Sequence, residues 1–277
     1  MISGGLVCED ELADWLRAAG AQEGEVLLVH ASLSAFGVVV GGEQAVIGAL
    51  RRAVGPRGTI VMPAQSWQLC DPDYLDDPRL DARQREAVRR ALPAFDPDLT
   101  PTRTMGAVAE LFRTLPGSRR SPHPHRSFSA SGPAAETVTA EQALGDPFGE
   151  TSPLARLYSL DAKVALLGVG YESCTALHLA EARSGRDRGR TVANGAPMRL
   201  ASKRTWVTWQ ERVVDDADFP SIGEAFERVH GVVPDRVGEA SCRLISLREL
   251  VDFAIERMDD ISKSESACKD GKILRAF

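Results

Sequence analysis

The 277-residue chain is short of the residues that staple or anchor a protein. Its five cysteines, Cys8, Cys70, Cys174, Cys242 and Cys268, stand singly with no C-x-x-C pair. That argues against a zinc ribbon and a disulfide framework, and an odd count fits a reducing compartment. No apolar run approaches the roughly 18 to 20 residues of a membrane span, and Met1 to Asp10 lacks the basic-then-apolar order of a signal peptide. A cytoplasmic location is the expectation. Lysine is scarce as well: of 33 basic residues only Lys163, Lys203, Lys263, Lys269 and Lys272 are lysines. Against 39 acidic residues the net charge is −6, which gives no broad basic field for nucleic acid or an anionic membrane. A cationic small molecule suits that balance better.

Three catalytic signatures are missing. There is no G-x-S-x-G serine elbow and no G-x-x-x-x-G-K-[ST] phosphate loop, so serine-hydrolase and triphosphatase readings lose their anchors. The R-x-x-G-x-G/A loop of the common acetyltransferase superfamily is also lacking; Arg17 to Gln22 and Arg186 to Thr191 miss its last small residue.

With 43% hydrophobic and 26% charged residues, the chain can build a core without staples. Leu12, Trp15 and Leu16 space as one face of a helix over Glu9–Ala19. Glu25–His30 is a short apolar run, Glu43–Val54 has helical spacing, and Gly58–Met62 is a second apolar run stopped by Pro63. Strand, loop, helix and strand within about forty residues form a βαβ unit, which implies a parallel, helix-covered sheet. From Pro63 to Thr104 the periodicity gives way to Pro, Asp and Thr, the mark of a binding loop or lid, with a short helix over Asp81–Leu92. Further helices are expected over Met105–Leu115, Thr175–Arg183, Gly223–Val229 and Ser246–Met258, and strands over Lys163–Gly168 and Thr205–Gln210. The expected fold class is α/β, three layers with a mostly parallel or mixed central sheet covered by helices. One domain over residues 1–260 and a peripheral lysine-rich tail over 261–277 complete the expectation.

Three histidine positions attract attention. His30 ends the first strand at the head of a loop of small residues, where α/β sheets bind ligands; a histidine that merely satisfies a strand end fits equally. His123-Pro-His125 has the form of a metal pair, but no third ligand stands at a convincing spacing, so no metal is expected. Thr175, His178 and Glu181 lie three apart on one helix face after the glycine-rich exit Gly168-Val-Gly170. A carboxylate there can orient a histidine general base; an incidental surface pair is the alternative.

The ordered motifs resemble the aminoglycoside 3-N-acetyltransferase, or antibiotic N-acetyltransferase, family. They include Val29–Leu33, Gly58–Pro63, Pro93–Pro97, Thr104–Glu110, Arg120–Ser127, Pro147–Leu154, Leu166–Gly170, Thr175–Glu181 and Arg243-Leu244, over about residues 10 to 258. The resemblance implies acetyl transfer from acetyl-CoA to the 3-amino group of the 2-deoxystreptamine ring of an aminoglycoside, on a fold distinct from the common acetyltransferases. It makes His178 the base, Glu181 its carboxylate and Thr175 a neighbouring hydroxyl. It turns Ser32, Leu33, Ser34, Phe36 and Gly37, with Thr102, Arg103, Thr104, Met105, Gly106 and Ser127, toward coenzyme A. Thr175 and Ser127 are candidate oxyanion donors; Asp71, Asp73, Tyr74, Glu150 and Glu181 are candidate contacts for the cationic substrate. Ala31 stands where the family often has Ser, and Cys174 where it often has Asn. Another amine as acceptor, or a non-catalytic coenzyme A or amino-sugar binder, remains the alternative, and the chain is expected as monomer or homodimer.

Overall fold

The computed structural model describes residues 5–186 and 189–259, so the expected tail over 261–277 lies outside the described residues. A mixed sheet runs β10 (Asp235–Val237), β11 (Ala240–Ser246), β7 (Lys163–Leu167), β2 (Val26–Ala31), β4 (Thr59–Pro63), β6 (Phe128–Ser131), β5 (Arg119–Arg120). At its centre β7, β2 and β4 are parallel. The expected βαβ unit is β2, the helix Gly42–Val54 and β4. The flanking strands β11, β10, β6 and β5 pair antiparallel, so the sheet is mixed rather than purely parallel. A bridge joins β1 (Leu6–Val7) to β3 (Val38–Val39), and β8 (Thr191–Leu200) with β9 (Lys203–Arg212) forms a separate antiparallel hairpin.

The apolar runs are continuous because both faces of the central strands are covered. Successive side chains alternate in direction. Leu27 and Val29 therefore pack with Leu12 and Leu16 of the helix Glu9–Ala18, Leu50 of Gly42–Val54 and Phe112 of Gly106–Thr114. Val26 and Leu28 face the other layer, with Leu177 and Leu179 of Leu177–Ser184, Phe226 of Phe219–His230, and Leu250 of the helix 247–259. This is the three-layer arrangement. Because β2, β4 and β7 point the same way, their carboxyl ends open at one edge, where the loops after them meet.

Pro63 is the last residue of β4 and pairs with Phe128, rather than standing beyond the strand. The long segment after it is not bare loop. It holds the helix Pro72–Leu75 and the helix Ala82–Ala91, whose start is fixed by a reciprocal cap: Gln84 N–H donates to Asp81 Oδ1 at 2.8 Å, and Asp81 N–H to Gln84 Oε1 at 2.9 Å. Among the described residues no helix is long and apolar enough to cross a membrane.

Candidate active site

At the carboxyl edge of the sheet lies a cleft of about 980 Å³. One wall is the loop after β2. Ser32, Leu33, Ser34 and Gly37 line it, while Phe36 of the same turn is fully buried and anchors the loop in the core. Facing it are Thr104, Met105 and Gly106. Gly106 has φ +83°, and a Cβ there would stand 3.3 Å from the Ala31 carbonyl oxygen, so the two segments meet backbone to backbone. Thr104 holds φ +62°, a strained value for a β-branched residue in a cleft wall. Thr102 and Arg103 do not join this lining. Thr102 donates from N–H and Oγ to Glu110 Oε2 at 2.8 and 2.7 Å, and the Arg103 side chain is exposed while its N–H donates to Gln65 O at 2.8 Å.

The same cleft is lined by Thr175, in the turn after β7, and by His178, in the first turn of the helix Leu177–Ser184. His178 donates from Nδ1 to Glu181 Oε2 at 2.9 Å, and Glu181 Oε1 accepts from Asp215 N–H at 2.7 Å. The carboxylate is 4% exposed and held on both oxygens. The imidazole is fixed in plane as well. Phe148 stacks on it at 4.6 Å with 10° between planes, and Phe219 meets it edge-on at 4.8 Å. With Nδ1 committed to an acceptor, Nε2 is left as the basic nitrogen. Cys174, just before Thr175, is 1% exposed, and burial pushes its thiol up to about 12, so it is an inert core residue.

His30 lines the same cleft, with Nε2 3.4 Å from Thr175 Oγ. Burial, and secondarily the neighbouring His178, push its pKa down to about 3. It is neutral at neutral pH.

Arg126, which also lines the cleft, forms a buried ion pair with Glu211, Nε to Oε1 at 2.9 Å, both side chains at most 3% exposed. Glu211 Oε2 also accepts from Asn194 Nδ2 at 3.0 Å, and Arg126 donates to the Tyr74 hydroxyl at 2.8 Å. The guanidinium lies 4.1 Å from the Trp67 ring centroid and 5.7 Å from that of Phe148. Trp67 and Gln65 line the cleft, as do Glu172 and Asp216, none of which the sequence singled out.

The remaining candidates are engaged elsewhere. Ser127 is fully buried, donating to Ala64 O at 2.7 Å and accepting from Arg120 Nε at 2.9 Å, so its hydroxyl anchors a loop and has no proton left for an oxyanion. Asp71 accepts from Arg89 at 2.7 and 3.1 Å, and Asp73 pairs with Arg85 at 3.0 Å and also with Arg89. Glu150 holds Arg183 at 2.8 Å, and none of these carboxylates lines the cleft. Tyr74 stands behind Arg126, likewise outside the lining. His123 accepts at Nδ1 from the N–H groups of His125 and Arg126, both at 3.1 Å, and its Nε2 faces Leu144 O at 3.3 Å. The His125 nitrogens lie toward the Leu69 and Gly195 carbonyls without hydrogen-bonding geometry. Among the described residues no group of three His, Cys, Asp or Glu is placed to hold a metal ion.

The family model for aminoglycoside 3-N-acetyltransferases matches residues 28–259. The chain belongs to that family. Its members are acyltransferases. The chain is 40% identical over 247 residues to an aminoglycoside N(3')-acetyltransferase-like protein, YokD, of Bacillus subtilis, covering 89% of this chain and 90% of the relative. The crystal structure of that protein superposes with a TM-score of 0.86, covering 92% and 94% of the two chains at 38% identity. Aminoglycoside N(3)-acetyltransferase VII of Streptomyces paromomycinus is 37% identical over 273 residues, 93% of each chain. A structure of AAC-IIIb in binary complex with CoASH matches with a TM-score of 0.79 at 28% identity, over 92% and 97% of the chains.

Proposed function

We propose that the protein transfers acetyl from acetyl-CoA to the 3-amino group of the 2-deoxystreptamine ring of an aminoglycoside. The observation that carries this reading is that His178, paired with Glu181, lines the same cleft as the Ser32–Gly37 loop. A thioester on that loop and an amine beside His178 would meet across the cleft, and holding the two together supplies much of the acceleration. An ammonium has no lone pair, so one amine of the substrate attacks as the neutral base. Its nitrogen bonds to the thioester carbon while His178 Nε2 takes the proton, with Glu181 supporting the imidazolium. The tetrahedral oxyanion then collapses, the C–S bond breaks, and the thiolate leaves with that proton as CoASH. The Thr175 hydroxyl is the candidate oxyanion donor.

For the remaining ammonium groups of the substrate, Asp216 and Glu172 are better candidates than the acidic loop, whose carboxylates are bound to arginines. Acetyl-CoA as donor agrees with a cytoplasmic location, and no step of this chemistry calls for a metal. A second reading, acetyl transfer to an amine with fewer positive charges, draws on that same neutralisation. Thiol release from acetyl-CoA with a panel of aminoglycosides separates the two: turnover with 2-deoxystreptamine aminoglycosides, acetylated at N3 by NMR, supports the first. In that assay His178→Ala abolishes turnover while coenzyme A still binds by calorimetry; substantial residual turnover removes the base assignment.

A further inference from the structure

We infer that His30 is a positioning residue for the transfer, donating from Nε2 to the Thr175 hydroxyl oxygen so that the hydroxyl hydrogen points into the cleft. The inference rests on the proposed acetyl transfer and adds to it a residue outside the His178–Glu181 pair.

The geometry comes from two parallel strands. His30 is the next-to-last residue of β2, and its register partner on β7 is Leu166, so the turn after β7 brings Thr175 alongside it. Nε2 and Oγ lie 3.4 Å apart, a long contact of the kind that tightens once a site is filled. Both side chains line the cleft and both residues are buried, at 7% and 9% exposure. A hydroxyl has one hydrogen and two acceptor lone pairs, so its partner decides where the hydrogen goes. Were Nε2 an acceptor, it would take that hydrogen and turn the oxygen's lone pairs to the cleft, repelling an oxyanion. With Nε2–H as donor, one lone pair is occupied and the hydrogen is free to meet the negative oxygen of the tetrahedral intermediate. No proton changes hands in this role; His30 fixes a dipole. A neutral ring is required, because an imidazolium here would oppose the one that forms on His178, and burial keeps His30 neutral.

A double-mutant cycle tests this. The variants Thr175→Val, His30→Ala and the pair are assayed by thiol release with acetyl-CoA and an aminoglycoside that the wild type turns over. Loss of the hydroxyl lowers kcat on the order of 100-fold, the scale of one oxyanion donor, and His30→Ala lowers it about 10- to 50-fold. The KM for acetyl-CoA stays within about twofold in both. In the Thr175→Val background His30→Ala costs less than about twofold more, because there is no hydroxyl left to orient. His30→Gln, which keeps an N–H near Nε2, restores kcat to within about fivefold. Independent, multiplicative losses overturn the inference, as does a His30→Ala enzyme with unchanged or raised kcat, the outcome for an accepting Nε2. If His30→Ala does not fold, His30→Leu, apolar and of similar volume, replaces it with the same expected loss. A wild type that turns over no aminoglycoside removes the proposed function and the inference with it, whereas an active wild type with an indifferent His30 removes the inference alone.

Discussion

Replacing Glu181 by glutamine tests the orientation of His178, the proposed base, without disturbing its surroundings. The native carboxylate accepts twice, from His178 Nδ1 at 2.9 Å and from Asp215 N–H at 2.7 Å. An amide has one oxygen and one NH2, and a backbone N–H can only donate, so the amide oxygen goes to Asp215. The NH2 then faces His178, Nδ1 must accept, and the ring hydrogen moves to Nε2, the atom proposed to receive the amine proton. The opposite amide orientation keeps the productive tautomer but sets two donors against each other at Asp215. That costs about 1–2 kcal/mol at a partly buried site, so the competent form falls about 5- to 30-fold.

The lost negative charge adds to this. A charge-assisted bond to the imidazolium exceeds a neutral one by about 1.4 kcal/mol, roughly another tenfold. Together kcat falls on the order of 100-fold, with the melting temperature shifted by no more than about 3 °C because shape and both hydrogen bonds survive in the favoured amide orientation. Steady-state thiol release at saturating acetyl-CoA reads the first quantity and a thermal melt the second. A Glu181→Gln enzyme within about fivefold of wild-type kcat refutes the tautomer argument, since nothing else in the site would restore a free Nε2.

Other perturbations follow from the same geometry. Ser32→Trp fills the cleft beside the loop after β2 and should weaken coenzyme A by about tenfold or more in calorimetry; unchanged affinity would take that loop out of the site. Arg126→Met leaves Glu211, fully buried, without its cation, and should lower unfolding free energy in urea by about 3–5 kcal/mol; a loss under about 1 kcal/mol would mean the pair contributes little. His30 and His125 are pushed down to about 3, and His123 well below its ordinary value, first by burial. Their depressed folded values make the stability complete above pH 6.5 and lost as pH falls toward 3, because the unfolded chain binds protons that the fold refuses. Each contributes a slope of about 1.4 kcal/mol per pH unit in that window. The melting temperature should therefore drop steeply between pH 6.5 and 5, and a flat profile there would show the three rings to be protonated in the fold.

What the sequence could disclose depended on how local each cause was. Val26–His30, Thr59–Met62 and Val164–Leu167 are buried on both faces, so their apolar runs are continuous and legible. Phe128-Ser-Ala-Ser131 carries no such mark; it is a strand because β4 and β5 supply its partners. The hairpin strand β8 includes Gly195 and Pro197, poor strand residues, and is held by a long ladder to β9. The helix at Phe219 begins four residues before its expected start at Gly223, since Phe219 and Ile222 are drawn into the core. His178 and Glu181 were legible because an i, i+3 spacing needs nothing beyond the helix itself.

The acidic loop was not legible, for a reason that bears on substrate choice. Whether Asp71 and Asp73 are free depends on Arg85 and Arg89, more than ten residues away on the helix that starts at the Asp81 cap. Counting carboxylates therefore measures available negative charge poorly. In the folded chain the carboxylates of the cleft lining are Glu172 and Asp216, brought in by the turn after β7 and the segment after β9. Glu172 Oε1 already accepts the Gly170 N–H at 2.8 Å, which leaves Asp216, an exposed residue of the lining, as the carboxylate proposed to meet a second ammonium of the acceptor. On the proposed reading, a cleft lined by so few carboxylates would select its amine less by total charge than by the distance between a nitrogen at His178 and one further cation at Asp216.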